Sequence, residues 1–115
     1  MALTEGKHTA EFLLSEGNGS ISREQAEIDA TGATLEAGTV LGKITATGKL
    51  AAYDNTDTTT GLGTAVGILY ANAADAAPAG QVTYIARSAE VIGDALTGLD
   101  TAAATDLAAL GIVIR

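Results

Sequence analysis

A chain of 115 residues holds one domain and at most a terminal arm. It has no cysteine, which removes disulfides, thiol chemistry and thiolate metal sites. Aromatic content of 3% with no Trp leaves Val, Ile, Leu and Ala to build the core. The net charge is −8, and the basic residues Lys7, Arg23, Lys43, Lys49, Arg87 and Arg115 are scattered rather than massed, which argues against nucleic acid as a partner.

The first residues, Met1-Ala2-Leu3-Thr4-Glu5-Gly6-Lys7-His8, lack the apolar core of a signal peptide, and no run approaches the ~20 apolar residues of a membrane span. The expectation is a soluble protein made without secretion and without a membrane partner. Residues 1–30 read as an extended arm in which Glu, Ser and Gly interrupt any period. Set in it is an apolar hook, Glu11-Phe12-Leu13-Leu14-Ser15-Glu16, carrying the chain's one phenylalanine, followed by the turn-prone Gly17-Asn18-Gly19-Ser20-Ile21-Ser22-Arg23-Glu24. Gln25–Ala30 alternates weakly, as a short strand does.

Beyond residue 31 the punctuation becomes regular. Gly32, Gly38, Gly42, Gly48, Gly61, Gly63 and Gly67 cut the chain into short pieces, as in a compact β domain. Thr39–Thr45 and Lys49–Tyr53 flank Ala46-Thr47-Gly48 and predict a hairpin. Ala65–Tyr70 is nearly continuous in apolar residues and predicts a strand buried on both faces, whereas Gln81–Arg87 alternates. Near the end the period changes: Asp100 or Thr101 caps a helix over Ala102–Leu110, with Leu107 and Leu110 on one face and Gly111 closing it. Ile112-Val113-Ile114 reads as a last strand. The fold class is mainly β with one short C-terminal helix and an extended N-terminal arm, divided into an arm at 1–30 and a compact body at 31–115.

Nothing in this chain supports catalysis. The single histidine, His8, sits in the arm, where nothing fixes its tautomer. Asp54-Asn55-Thr56-Asp57 offers clustered oxygens but lacks the spacing and terminal Glu of a calcium loop, and it reads as a polar turn. Gly61–Gly67 places its third glycine one residue late for a dinucleotide fingerprint and precedes a strand rather than a helix. Asn18-Gly19-Ser20 fits a glycosylation sequon, yet without a secretory route it is a turn. No catalytic, cofactor-binding or metal residue is assigned.

The hook is the feature that asks for an explanation, because an exposed Phe-Leu-Leu is a solubility liability unless covered. Two coverings compete: the arm packs on its own body as an extra strand, or it adds to a partner. Burial of Phe12, Leu13 and Leu14 yields about 5–8 kcal/mol gross. Ordering ten arm residues costs about 10 kcal/mol or more. Side chains from one arm therefore do not suffice, and the arm needs strand pairing to a partner edge, several arms working together, or both. A body of about 85 residues with so thin a core also favours oligomers.

These residues resemble the head decoration proteins of tailed phages, of the lambda head protein D type. The likeness runs through Glu11–Glu16 with Gly19–Glu24, then Ala37–Ile44 with Gly48-Lys49-Leu50, Tyr53-Asp54, Ala65–Leu69 and the ending Leu107–Arg115, in collinear order over most of the chain. The Phe-Leu-Leu of the leader departs from the lambda protein. The resemblance implies a small β-barrel or β-clip-like domain and a non-enzymatic virion protein, made in the host cytoplasm and seated on the outer surface of the expanded head. It implies homotrimers at three-fold and quasi-three-fold positions that clamp neighbouring major capsid subunits, and an N-terminal segment that faces the shell. Glu11, Phe12, Leu13, Leu14, Ser15, Glu16, Ile21 and Arg23 are then the expected capsid-binding residues. A β-rich module for a small ligand or carbohydrate, using the Asp54–Gly61 loop, is the alternative; the shortage of aromatic side chains weighs against it.

Overall fold

The computed structural model describes residues 12–17, 21–28, 35–70 and 81–115. The expected loop through the single proline, at 71–80, lies outside them. In chain order the elements are β1 (Leu13–Glu16), β2 (Arg23–Glu27), β3 (Val40–Lys43), β4 (Leu50–Ala52), β5 (Ala65–Leu69), β6 (Gln81–Ile85), β7 (Ala89–Val91), a 3-10 turn at Gly93–Ala95, α1 (Thr101–Ala109) and β8 (Ile112–Ile114). The fold is mainly β with one short C-terminal helix.

The strands form a five-stranded sheet, ordered β2-β6-β5-β3-β4, and a three-stranded sheet, ordered β1-β7-β8. Every pairing in the larger sheet is antiparallel. Its two outer strands approach each other at one end, where Ile28 bridges Leu50 in parallel. That bridge draws the sheet round into a small barrel-like curl and shortens its free edges. In the smaller sheet β1 is antiparallel to β7, and β7 is parallel to β8. Parallel neighbours need a crossover, and the segment holding α1 provides it.

Two cores lie on either side of the five-stranded sheet, because adjacent residues of a strand point to opposite faces. Val40, Ile68 and Ile85 face a core shared with Phe12, Val91, Leu107 and Ile112. Leu41 and Leu69 face the inside of the curl with Ile28 and Leu50. The predicted burial of β5 on both faces is therefore observed. Gly67 follows from this crowding: a Cβ there would lie 2.5 Å from the Ile85 carbonyl oxygen and 2.6 Å from the Tyr84 ring.

The hairpin forms as predicted, with Leu41 opposite Ala52 and Lys43 opposite Leu50. The helix begins where expected: the Asp100 carboxylate accepts from the Ala103 N–H at 2.7 Å, satisfying one of the free donors of the first turn. Gly111 ends it at φ +80°, a conformation that glycine adopts freely. The buried face is Ala103 and Leu107, not Leu107 and Leu110. Leu110 is the C-cap, at φ −90° and ψ 0°, and this turn of the backbone leaves its side chain 36% exposed.

The largest departure concerns the leader. Of the two coverings for the hook, the described residues take the first: Phe12 is fully buried in the body's own core, and its carbonyl accepts from the Ile92 N–H at 2.7 Å. β1 pairs along β7, and β2 pairs along the whole of β6. β1 and β2, expected within an extended arm at 1–30, are strands of the two sheets. Side-chain burial is joined here by the backbone ladders of β1 to β7 and β2 to β6, which hold the leader to its own body.

Phe12→Ala is expected to cost about 3–5 kcal/mol in urea unfolding, as a large aromatic leaves a sealed core. Leu14→Ala, on the opposite face of β1, is expected to stay within about 0.5–1 kcal/mol. Equal losses would show that Phe12 does not hold the leader to the body.

Candidate functional site

The candidate surface is built by the leader, whose side chains divide by direction. Phe12 points inward and Leu13 packs half-buried beside the same core. A register shift between Leu13 and Ser15 inserts an extra residue at Leu14, as a β-bulge does. Leu14 consequently points to solvent and is 52% exposed. Ile21, at the turn before β2, is 60% exposed. Of the eight residues expected to meet a partner, Leu14, Ser15 and Ile21 lie on the surface, Phe12 does not, and Glu11 lies outside the described residues, as do His8 and the Asn18-Gly19-Ser20 sequon.

Glu16 and Arg23 serve each other. The Arg23 Nε donates to Glu16 Oε2 at 3.0 Å and its Nη2 to Oε1, a bidentate pair joining the end of β1 to the start of β2. The guanidinium also lies 4.3 Å from the Tyr70 ring centroid, a cation–π contact. The hydrogen bonds to Glu16 raise the Arg23 pKa above its ordinary value. Beside this pair the buried Ser22 hydroxyl accepts from the Gly17 N–H at 2.7 Å and donates to the Ser88 carbonyl at 2.8 Å. Arg87 donates to the Ile21 carbonyl at 2.5 Å and pairs with Glu24. Sequence reasoning missed this clasp because its partners, Ser88 and Arg87, lie more than sixty positions away in the chain.

The Asp54–Gly61 loop uses its own oxygens. Asp54 Oδ1 accepts from the Thr56 N–H at 3.0 Å, and Asp57 Oδ1 accepts from the Thr59 and Thr60 N–H groups at 2.9 and 2.8 Å. The Thr60 hydroxyl, with these amides, lowers the Asp57 pKa. These are local turn bonds, and among the described residues no group of three or more His, Cys, Asp or Glu side chains is placed to hold a metal ion. The loop is tied to the helix instead: the Tyr53 hydroxyl donates to Asp100 Oδ1 at 3.0 Å and Asn55 Nδ2 donates to Asp100 Oδ2 at 2.6 Å. Burial, then the Asp100 carboxylate, raises the Tyr53 pKa. A hollow of about 510 Å³ lies between β2 and the hairpin, lined by Glu24, Glu27, Lys43 and Lys49 among others, with Lys49 Nζ 3.9 Å from Glu27.

The described surface of the leader thus offers a strand edge with Leu14 and Ile21 turned outward, beside charge-paired hollows. Residues 2–112 match the family model of the bacteriophage lambda head decoration protein D. The chain belongs to this family. No curated protein matches it significantly. Members of the head decoration protein D family are structural proteins of the phage capsid, so a role in capsid decoration, in the virion, follows for this chain. The match spans β1, β2 and the body together.

Asp100 is the polar centre of this family member's C-terminal half. The Ala103 N–H, foremost, holds its carboxyl below the ordinary value of 3.8. Its bonds contribute stability above that value and lose it as pH falls through the lower folded value. Asp100→Ala is expected to lower the Tm by about 4–6 °C at neutral pH. The deficit against the parent should shrink as pH falls below 3.8 and the parent carboxylate is itself protonated. A deficit that does not change with pH would show that the cap does not act through its charge.

Proposed function

We propose that this protein decorates the outer surface of the expanded phage head as homotrimers at three-fold and quasi-three-fold positions, where each trimer clamps neighbouring major capsid subunits. The observation that carries this reading is the family match over nearly the whole chain. The surface adds two supports. The leader turns Leu14 and Ile21 outward, 52% and 60% exposed, on the same stretch that the sequence marked for a partner. A chain with net charge −8 is also suited to a position outside the shell, away from packaged DNA.

The shell contact assigned here runs through Glu11 and the residues before it to Leu14, Ser15 and Ile21. Phe12, Leu13, Glu16 and Arg23 act in this reading as the root that fixes the contact segment to the body. A rooted segment loses less freedom on binding than a free tail, since its last residues are already ordered. Strand addition along the outer edge of β1 is the mode that fits, because among the described residues β1 pairs with β7 alone.

Removal of residues 1–10 spares Phe12 and β1 and is expected to move the Tm by no more than about 2 °C. The shortened protein should fail to decorate expanded heads in electron microscopy. Leu14→Asp in the full chain should weaken head binding about tenfold or more, the value of one buried leucine, without unfolding the domain. Full occupancy by both variants would overturn the assignment.

A further inference from the structure

The large apolar side chains exposed among the described residues are Leu14, Ile21, Leu110 and Val113, and Ile21, at 60%, is the most open of them. Leu14 and Val113 stand on strands, where a ladder sets their direction. Ile21 stands on the turn that enters β2, ahead of the first ladder pair at Arg23. A side chain in such a place ordinarily turns with its loop. Here its surroundings hold it.

The Ile21 carbonyl accepts from Arg87 Nη1 at 2.5 Å, while Nη2 of the same guanidinium pairs with Glu24 on β2. The next residue, Ser22, is fully buried, and its carbonyl accepts from the Ala86 N–H at 2.8 Å. The Ile21 side chain lies back across Gly17, where an added Cβ would come within 2.6 Å of its Cδ1 and Cγ1. The post for these bonds is the corner between β6 and β7, which also offers the Ser88 carbonyl to the Ser22 hydroxyl and to the Gly17 N–H, at 2.8 and 3.2 Å. Ser88 sits at φ 52°, a region that a non-glycine residue keeps only where its neighbours hold it. Arg87 itself belongs to no core: its side chain is 44% exposed and that of Glu24 is 46% exposed. An ion pair so open to water contributes little to folding. What the guanidinium does fix is a carbonyl, and with it the direction of an exposed isoleucine. Its planar fork suits the task, since one nitrogen serves the carbonyl and another the carboxylate.

We infer that Arg87 is a positioning residue for the shell contact: it holds Ile21 as a preset apolar knob for an apolar depression on the head protein. This rests on the reading above in which Ile21 meets the shell, and deepens it by adding a residue that acts without touching the partner. A knob already fixed gives up less freedom on docking than one that turns with its loop, so the same contact binds more tightly. The rival role for Arg87 is a direct charge contact with the shell. The two roles separate cleanly, because a direct contact needs only the positive charge and does not depend on Ile21.

A double-mutant cycle on the full-length protein, read as affinity for expanded heads, gives the answer. Ile21→Ala should weaken binding about tenfold and Arg87→Ala about fivefold, while the double variant should bind no more weakly than Ile21→Ala alone. Arg87→Lys should bind as weakly as Arg87→Ala, because one ammonium does not reproduce the two-pronged hold. In the free protein, Arg87→Ala should keep its Tm within about 4 °C of the parent, yet lower the methyl order parameter of Ile21. Losses that add in the cycle, rescue by lysine, or an Ile21 methyl as ordered in Arg87→Ala as in the parent would overturn the inference and leave the shell contact standing. Head binding that Ile21→Ala does not weaken would overturn the contact at Ile21, and the inference with it.

Discussion

Everything in this small domain depends on a phenylalanine supplied by the leader. The body has no other phenylalanine and no Trp, and apart from Tyr53 its buried apolar residues, among those described, are Val, Ile, Leu and Ala. Phe12 enters the space bounded by the five-stranded sheet, by β7 and β8, and by α1, where it meets the core that includes Val40, Ile68, Val91 and Leu107. Without it that space would hold a void next to the crossover helix, and a small domain has little stability to spare. The leader is therefore a structural strand first, and any binding role is carried by what it leaves outward.

Several features were legible because local chemistry decides them. The hairpin follows from two β-rich runs around a glycine turn, and the helix from Asp100 and Gly111 at the positions that cap and stop it. The continuous apolar run of β5 announced its two buried faces. Other features depend on partners remote in sequence. Phe12 reads the same in a free arm as in a core, and only the β1–β7 register distinguishes them. β7 has three residues, too few for a period, and it exists because β1 and β8 lie on either side of it. The curl of the large sheet depends on one bridge, Ile28 to Leu50, which no spacing rule foretells.

The candidate surface was half legible for the same reason. Phe12, Leu13 and Leu14 stand out in the sequence as an apolar group in a polar leader, but their directions do not. A bulge at Leu14 resets the alternation, so that Phe12 turns in while Leu14 and Ser15 both lie opposite the outward Glu90. Simple alternation from Phe12 would also send Leu14 inward. The clasp of Ser22, Arg23 and Glu16 then makes this arrangement specific, because a buried hydroxyl and a bidentate ion pair have one good geometry each.

The three-stranded sheet is where fold and proposed function meet. Its edges are β1 and β8, and each edge presents one outward apolar side chain, Leu14 at one and Val113 at the other. Between them β7 has Ala89 and Val91 buried and is bonded on both sides, so the edges cannot move independently without breaking a ladder. On the reading proposed here, the β1 edge faces the shell, and docking there would load β7, the strand that β8 also pairs with. A weak core of aliphatic residues tolerates this because the load is borne by backbone hydrogen bonds along β7, while Phe12 beneath keeps the sheet seated on the body.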